Sequence, residues 1–233
     1  MGPVVRLDML VALFSALRFR NFRLLWFGLT VSFTGSFMQQ ASILWHVSLL
    51  APPGQKGMAL GIVGLVRALP VIVFSMVAGV AADAFDRRRL MMVTQIGGFV
   101  VAGVLSIFAF AGLQSLWPVY LLAALGASVG AFDPPARHSM VATLVSREHL
   151  PSAVNLNTAM IQATSVIGPA LGGLLIGHFS VGWAYAVNSV SFLFVVIALL
   201  LMRDVPVREA LAERARDQFS LAAAREGLQY VFT

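Results

Sequence analysis

Trp183-Ala184-Tyr185-Ala186-Val187-Asn188-Ser189-Val190-Ser191-Phe192-Leu193-Phe194-Val195-Val196-Ile197-Ala198-Leu199-Leu200-Leu201-Met202 runs for twenty residues without a charge, and Arg203 follows at once. At about 1.5 Å per residue, a helix of that length crosses the roughly 30 Å of hydrocarbon in a bilayer. Apolar blocks of similar length recur at 24–49, 58–82, 90–113, 116–141 and 153–178. Together they predict an all-α membrane protein of six transmembrane helices. The connections at 51–57, 83–89, 114–115, 142–152 and 179–182 are short, so successive spans run antiparallel. In the fourth span the apolar stretch stops at Phe132, and Asp133-Pro134-Pro135 predicts a break in the helix.

Composition excludes the alternatives. With 59% hydrophobic and 11% charged residues, the chain has too little polar surface for a water-soluble domain. A formal charge of +6 would suggest nucleic acid in a soluble protein, but these arginines sit between apolar blocks and act as topology signals, so no nucleic-acid partner is expected. The absence of cysteine excludes disulfides, thiolate metal sites and a thiol nucleophile. No cluster of His, Asp and Glu suggests a metal, a cofactor or an intramembrane enzyme. The short apolar run at 9–17 leads into Arg18, Arg20 and Arg23 rather than a cleavage site, which predicts an interfacial helix.

The basic residues orient the set. Arg6, Arg18, Arg20 and Arg23 precede span one; Arg87, Arg88 and Arg89 follow span two; Arg137 and Arg147 follow span four; Arg203, Arg208, Arg214, Arg216 and Arg225 follow span six. Fourteen of the sixteen basic residues thus fall on one side, leaving Lys56 in an opposite loop and Arg67 within span two. The positive-inside rule puts both termini in the cytoplasm of a multi-pass protein of the inner or plasma membrane. Three segments follow: a cytoplasmic interfacial segment at 1–23, the bundle at 24–202, and a linker at 203–233. In the linker Val207, Leu211, Ala215 and Phe219 recur every four residues among charges, the pattern of an amphipathic helix.

Small residues at Gly57/Gly61, Gly126/Gly130, Gly168/Gly172 and Gly173/Gly177 have the spacing that lets helix backbones approach in lipid. In Gly168-Pro169-Ala170-Leu171-Gly172-Gly173 the proline also frees the carbonyl of Ser165, adding a bend. Between spans two and three lies Gly79-Val80-Ala81-Ala82-Asp83-Ala84-Phe85-Asp86-Arg87-Arg88-Arg89. A carboxylate at a helix C-terminus opposes the helix dipole, so Asp83 needs compensation from the arginines or from another helix's N-terminus.

These stretches, with Leu17-Arg18-Phe19-Arg20-Asn21-Phe22-Arg23-Leu24-Leu25-Trp26 and Gly64-Leu65-Val66-Arg67-Ala68-Leu69-Pro70, carry a resemblance. The chain resembles the major facilitator superfamily, and within it the bacterial branch of enterobactin exporters and macrolide efflux proteins. The stretch from Gly79 to Arg89 is similar to the superfamily's loop signature, and Gly168, Pro169, Gly172 and Gly173 to its antiporter motif. Ala84, Asp86 and Thr164 depart from those patterns, standing where the family has arginine, glycine and glycine. The resemblance implies a fold of twelve spans in two halves, of which this chain is the N-terminal six-span half and the second half is missing. It also implies a gating loop of Gly79, Asp83, Asp86, Arg87 and Arg88, in which Asp83 faces a helix of that missing half.

The polar groups inside the spans are candidates for a substrate or proton path. Arg67 is the tenth residue of its span and so lies roughly 14 Å deep, near the midplane. A charge there costs about 2.5–3.5 kcal/mol on insertion scales, so it faces a cavity or a partner, in a functional or a structural role. Gln39 and Gln40 lie in span one, which lines the central cavity in the family; they contact substrate or bond to neighbouring helices. Asp133 either exchanges protons or, with Pro134, terminates its helix. His46 and His178 are read as interfacial donors rather than proton carriers.

The expected function is secondary active transport, a proton-coupled efflux of amphipathic small molecules such as drugs or siderophores. The alternative is a truncated, non-transporting membrane scaffold or assembly partner. Because the chain has no cysteine of its own, its topology is directly measurable. A cysteine at Ser115 is expected to react with an impermeant thiol reagent in intact cells and one at Arg147 to be protected; labelling at Arg147 would reverse the orientation.

Overall fold

The computed structural model describes residues 14–112 and 114–203, apart from the side chains of Met76 and Asp83. The expected linker helix, beyond Arg203, and the first thirteen residues lie outside the described residues. The described chain is helical with no strand: α1 Arg20–Leu50, α2 Lys56–Ala84, α3 Arg87–Phe110, α4 Leu116–Gly130, α5 Asp133–Leu144, α6 Leu150–His178 and α7 Val181–Leu201. Single 3-10 turns at Ser15–Arg18 and Arg147–His149 precede α1 and α6. The first of these occupies the end of the expected interfacial helix at 9–17.

Five stretches are long and apolar enough to cross a membrane: Lys56–Ser75, Arg87–Phe110, Leu116–Leu144, Arg147–His178 and Val181–Leu201. The remaining expected span, α1, is the longest helix at 31 residues, but Thr30, Ser32, Thr34, Ser36, Gln39 and Gln40 make it more polar than the others. The outer surface is apolar: Val93, Ile107 and Val166 are 66%, 65% and 72% exposed. A surface of such residues requires lipid rather than water around it.

Local chemistry sets the boundaries. α3 stops at Phe110, three residues before the expected limit, because Gly112 turns the chain with φ +67, a left-handed conformation that glycine adopts without steric cost. The break expected in the fourth span occurs at Ala131 and Phe132, and Pro134 and Pro135 then occupy the first turn of α5, where a missing N–H costs nothing. Asp133 therefore begins a helix rather than terminating one.

α1 is the centre of the bundle, packed against α6 and α7, while α3 also packs along α7 and α2 along α4. Two apolar cores result. One joins Phe22, Leu25 and Leu29 of α1 to Met91, Met140, Leu156 and Leu199, at the end of the bundle that carries most of the arginines. The other joins Ile43 and Val47 to Val63, Leu105, Val119 and Tyr185 at the opposite end.

Close packing falls only partly on the glycines whose spacing suggested it. A Cβ at Gly168 would lie 2.7 Å from both the Phe37 Cβ and the Thr34 carbonyl, and one at Gly172 would lie 3.1 Å from Met38 Cγ. α6 thus meets α1 backbone to backbone. Gly57, Gly61, Gly130, Gly173 and Gly177 have no neighbour within 4 Å of such a Cβ, and Gly126 makes only ordinary contact with Val101. The expectation of close approach fails there because Gly126 and Gly130 border the cavity and the others have no neighbour against them among the described residues. Seven residues apart on α1, Gly28 and Gly35 instead seat α7, against the Phe194 carbonyl and against Asn188 and Ser191. Overpacking a tight core costs about 1–3 kcal/mol, whereas alanine is a better helix former than glycine by up to about 1 kcal/mol. Gly168→Ala is therefore expected to lower the thermal unfolding midpoint in detergent, and Gly173→Ala to leave it unchanged or raise it.

Candidate functional site

Between the two apolar cores lies a cavity of about 1040 Å³, lined by α1, α2, α3, α4, α5 and α7. Most of its wall is aliphatic, and the polar exceptions gather at middle depth. Gln39 and Gln40 on α1, Arg67 on α2 and Asp133 at the start of α5 all border it.

The groups on α1, α3 and α5 form a continuous network. Ser32 Oγ donates to Gln95 Oε1 at 3.3 Å, Gln95 Nε2 donates to Asp133 Oδ1 at 2.9 Å, and Arg137 Nε donates to Asp133 Oδ2 at 3.3 Å. Arg137 also lies 4.8 Å above the Phe33 ring, a cation–π contact. This is the one ion pair among the described residues. Arg137 is only 4% exposed, and its Nη1 has no hydrogen-bond partner. Counting Arg137 with the loop arginines that orient the chain was therefore incorrect. One turn of α5 carries it back into the bundle, where Asp133 and Phe33 offset the loss of water.

A second polar cluster joins α1 to α7. Asn188 Nδ2 donates to Gln39 Oε1 at 2.7 Å, and Ser191 Oγ donates to Asn188 Oδ1 at 3.0 Å. Near the far end of the bundle, His46 Nδ1 and the Tyr185 hydroxyl are 3.3 Å apart, while His178 Nδ1 lies 2.9 Å from the Leu174 carbonyl, on the surface. Arg67 differs from the other buried polar groups. It is half-buried on α2 one turn before Pro70 and makes no hydrogen bond or ion pair among the described residues.

The residues of the loop between α2 and α3 lie apart from this network. Gly79 borders the cavity, and Asp83 lies in the last turn of α2, its side chain outside the described residues. Asp86 caps α3, its Oδ1 accepting from the Arg89 amide at 2.8 Å. Arg87 Nη1 donates to the Ser139 carbonyl of α5 at 3.3 Å, and Arg88 Nη2 reaches the Leu200 carbonyl in the last turn of α7 at 3.5 Å. The latter meets one of the carbonyls a helix end leaves without an internal donor, where a cation is also favoured by the dipole. Of the motif at Gly168, Pro169, Gly172 and Gly173, the first and third residues press on α1, Pro169 is half-buried within α6, and Gly173 faces outward.

Sequence reasoning missed Ser32, Gln95, Arg137 and Asn188. For Arg137 a signal was present: Asp133 and Arg137 stand four residues apart, one helical turn.

A family model described as transmembrane secretion effector matches residues 11–232. The chain belongs to this family of major facilitator transporters. It is 31% identical over 165 residues to the uncharacterized MFS-type transporter YfiS of Bacillus subtilis, an overlap covering 70% of this chain and 38% of that protein. To the staphyloferrin A transporter of Staphylococcus aureus it is 24% identical, covering 72% and 42%. To macrolide efflux protein A of Streptococcus pyogenes it is 26% identical, covering 80% and 45%. The chain thus spans less than half the length of these relatives.

Removing one member of a buried ion pair costs about 3–5 kcal/mol, whereas replacing both by apolar groups is often neutral. Arg137→Met alone is expected to destabilise the bundle strongly, and Asp133→Leu combined with Arg137→Met to recover most of the loss. Thermal unfolding of the single and double variants in detergent measures this coupling.

Proposed function

We propose that the chain forms the first, six-span half of a secondary active transporter that exports amphipathic small molecules, drugs or siderophores, in exchange for protons. The observation that carries this reading is the cavity of about 1040 Å³, with polar groups at middle depth between two apolar cores. Aliphatic walls suit the apolar body of such a substrate, and a few convergent polar groups orient it. α1 serves as the sixth span, since the polar residues that lower its hydropathy include Ser32, Ser36, Gln39 and Gln40, all of which line this cavity. Family membership and the names of the relatives support transport of siderophores and drugs.

In this reading the arginine-rich end is cytoplasmic and the protein resides in the cell membrane. A second six-span half closes the cavity, and the two bodies rock about a ligand held near the midplane. Gly79, Asp83, Asp86, Arg87 and Arg88 form the gating loop; Asp86 and the two arginines stiffen the start of α3, leaving Asp83 to meet the second half. Gly168, Pro169, Gly172 and Gly173 set how α6 leans on α1. Asp133, hydrogen-bonded within a chain of polar groups, is the carboxylate available to the proton path, and Gln39, Gln40 and Arg67 border the substrate path.

Proteoliposomes holding this chain together with the second half of its parent are expected to extrude an amphipathic dye when a proton gradient is imposed, and to stop when an uncoupler is added. The chain alone is expected to remain inactive. Efflux that persists with the uncoupler would remove proton coupling; an inactive pair would favour the scaffold alternative.

A further inference from the structure

We propose that the cavity recognises an anionic group, a carboxylate, sulfonate or phosphate carried on an amphipathic body, and that Arg67 is the residue that holds it. The inference rests on the transport reading, since it names the substrate class for the same cavity.

The argument is one of charge and donors. Among the described residues that line the cavity, the charged groups are Arg67, Asp133 and Arg137. Asp133, the one carboxylate in that set, is already engaged by Arg137 Nε and Gln95 Nε2. Its charge is matched within one turn of α5, so it has none to spare for a cationic ligand. Arg67 remains without a described counter-ion, and the lining carries one net positive charge. The unpaired hydrogen-bonding capacity points the same way. Gln39 Oε1 accepts from Asn188, which leaves the Gln39 amide N–H groups as its unpaired function.

A half-buried guanidinium set among aliphatic walls interacts with an opposite charge more strongly than a fully exposed one. A cationic amphiphile entering the same space would meet like charge and find no free carboxylate. The charge balance of the described lining, one unpaired guanidinium and no unpaired carboxylate, therefore favours an anion. An anion can reach it from two sources, a soluble amphiphile or the headgroup of an anionic lipid.

The test uses two probes with the same aromatic body. Anilinonaphthalene sulfonate carries an anion; N-phenylnaphthylamine is its neutral counterpart. Fluorescence titration of the chain together with the second half of its parent in phosphatidylcholine nanodiscs, corrected with empty discs, is expected to give at least about tenfold tighter binding of the sulfonate, the size of one charge-assisted hydrogen bond. Arg67→Gln is expected to abolish that preference while leaving the neutral probe unaffected, and Arg67→Lys to keep most of it. Displacement of the sulfonate by phosphatidylglycerol in the disc would assign the natural anion to a headgroup; resistance to it would assign a soluble amphiphile. Equal binding of both probes, or a preference that survives Arg67→Gln, would overturn the anion site and leave the transport reading standing. Binding of the neutral probe alone would likewise overturn the anion site only, and failure of both probes to bind would overturn both readings.

Discussion

Apolar side chains gain nothing by leaving lipid for one another, so a membrane bundle is held by dispersion and by hydrogen bonds, both of which demand close approach. Here that demand is met along α1. Gly168 and Gly172 of α6 reach its backbone from one side, and its own Gly28 and Gly35 admit α7 from another. With α1 fixed between them, α3 is set against α7, and α2 with α4 closes the far side around a space no side chain fills. The cavity is thus a result of unequal packing: tight where glycines meet backbone, open where aliphatic walls face each other across α1, α2 and α4.

The polar groups follow the same division. Where helices touch closely, their hydroxyl and amide groups are consumed internally, as in the bonds of Asn188 with Gln39 and Ser191. At the cavity edge the groups are charged and arranged so that Asp133 is satisfied from two sides. Arg67, the one charged lining group without an ion pair among the described residues, borders the cavity from a helix whose own ladder is interrupted at Pro70. A proline that leaves the Val66 carbonyl without its helical donor adds a backbone acceptor beside a side-chain donor, a local concentration of polarity that lipid would not tolerate on an outward face.

Much of the fold was legible because hydropathy reports burial in lipid directly. The limits of α2, α6 and α7 fall within a few residues of the apolar blocks, and the break before Asp133-Pro134-Pro135 follows from proline's missing N–H. What the sequence does not carry is direction around a helix axis. Arg137 looks like a loop charge when counted along the chain, yet one turn of α5 beyond the break points it inward onto Phe33. Likewise glycine spacing identifies helices with smooth faces without saying whether a neighbour is present, so Gly173 and Gly177 matched the pattern while Gly28 and Gly35 made the contact. Asp86, taken with the loop motif, proved also to be the cap of α3, a role that its position three residues before Arg89 allows. The side chain of Asp83 and the linker beyond Arg203 lie outside the described residues.

The pairing of α1 with α7 also governs the order in which the bundle is completed during synthesis. Gln39 and the Asn188 that occupies its carbonyl are 149 residues apart, a distance the ribosome covers in roughly 7–30 s at bacterial and eukaryotic speeds. Through that interval α1 has an empty groove at Gly28 and Gly35, and its Gln39 carbonyl lacks the Asn188 donor. Its polarity, useful once the cavity exists, is a burden before then, and the last helix to emerge is the one that relieves it. Completion of the polar contacts of α1 therefore waits on α7, and a chain stopped before Asn188 would leave the Gln39 carbonyl without its Asn188 donor.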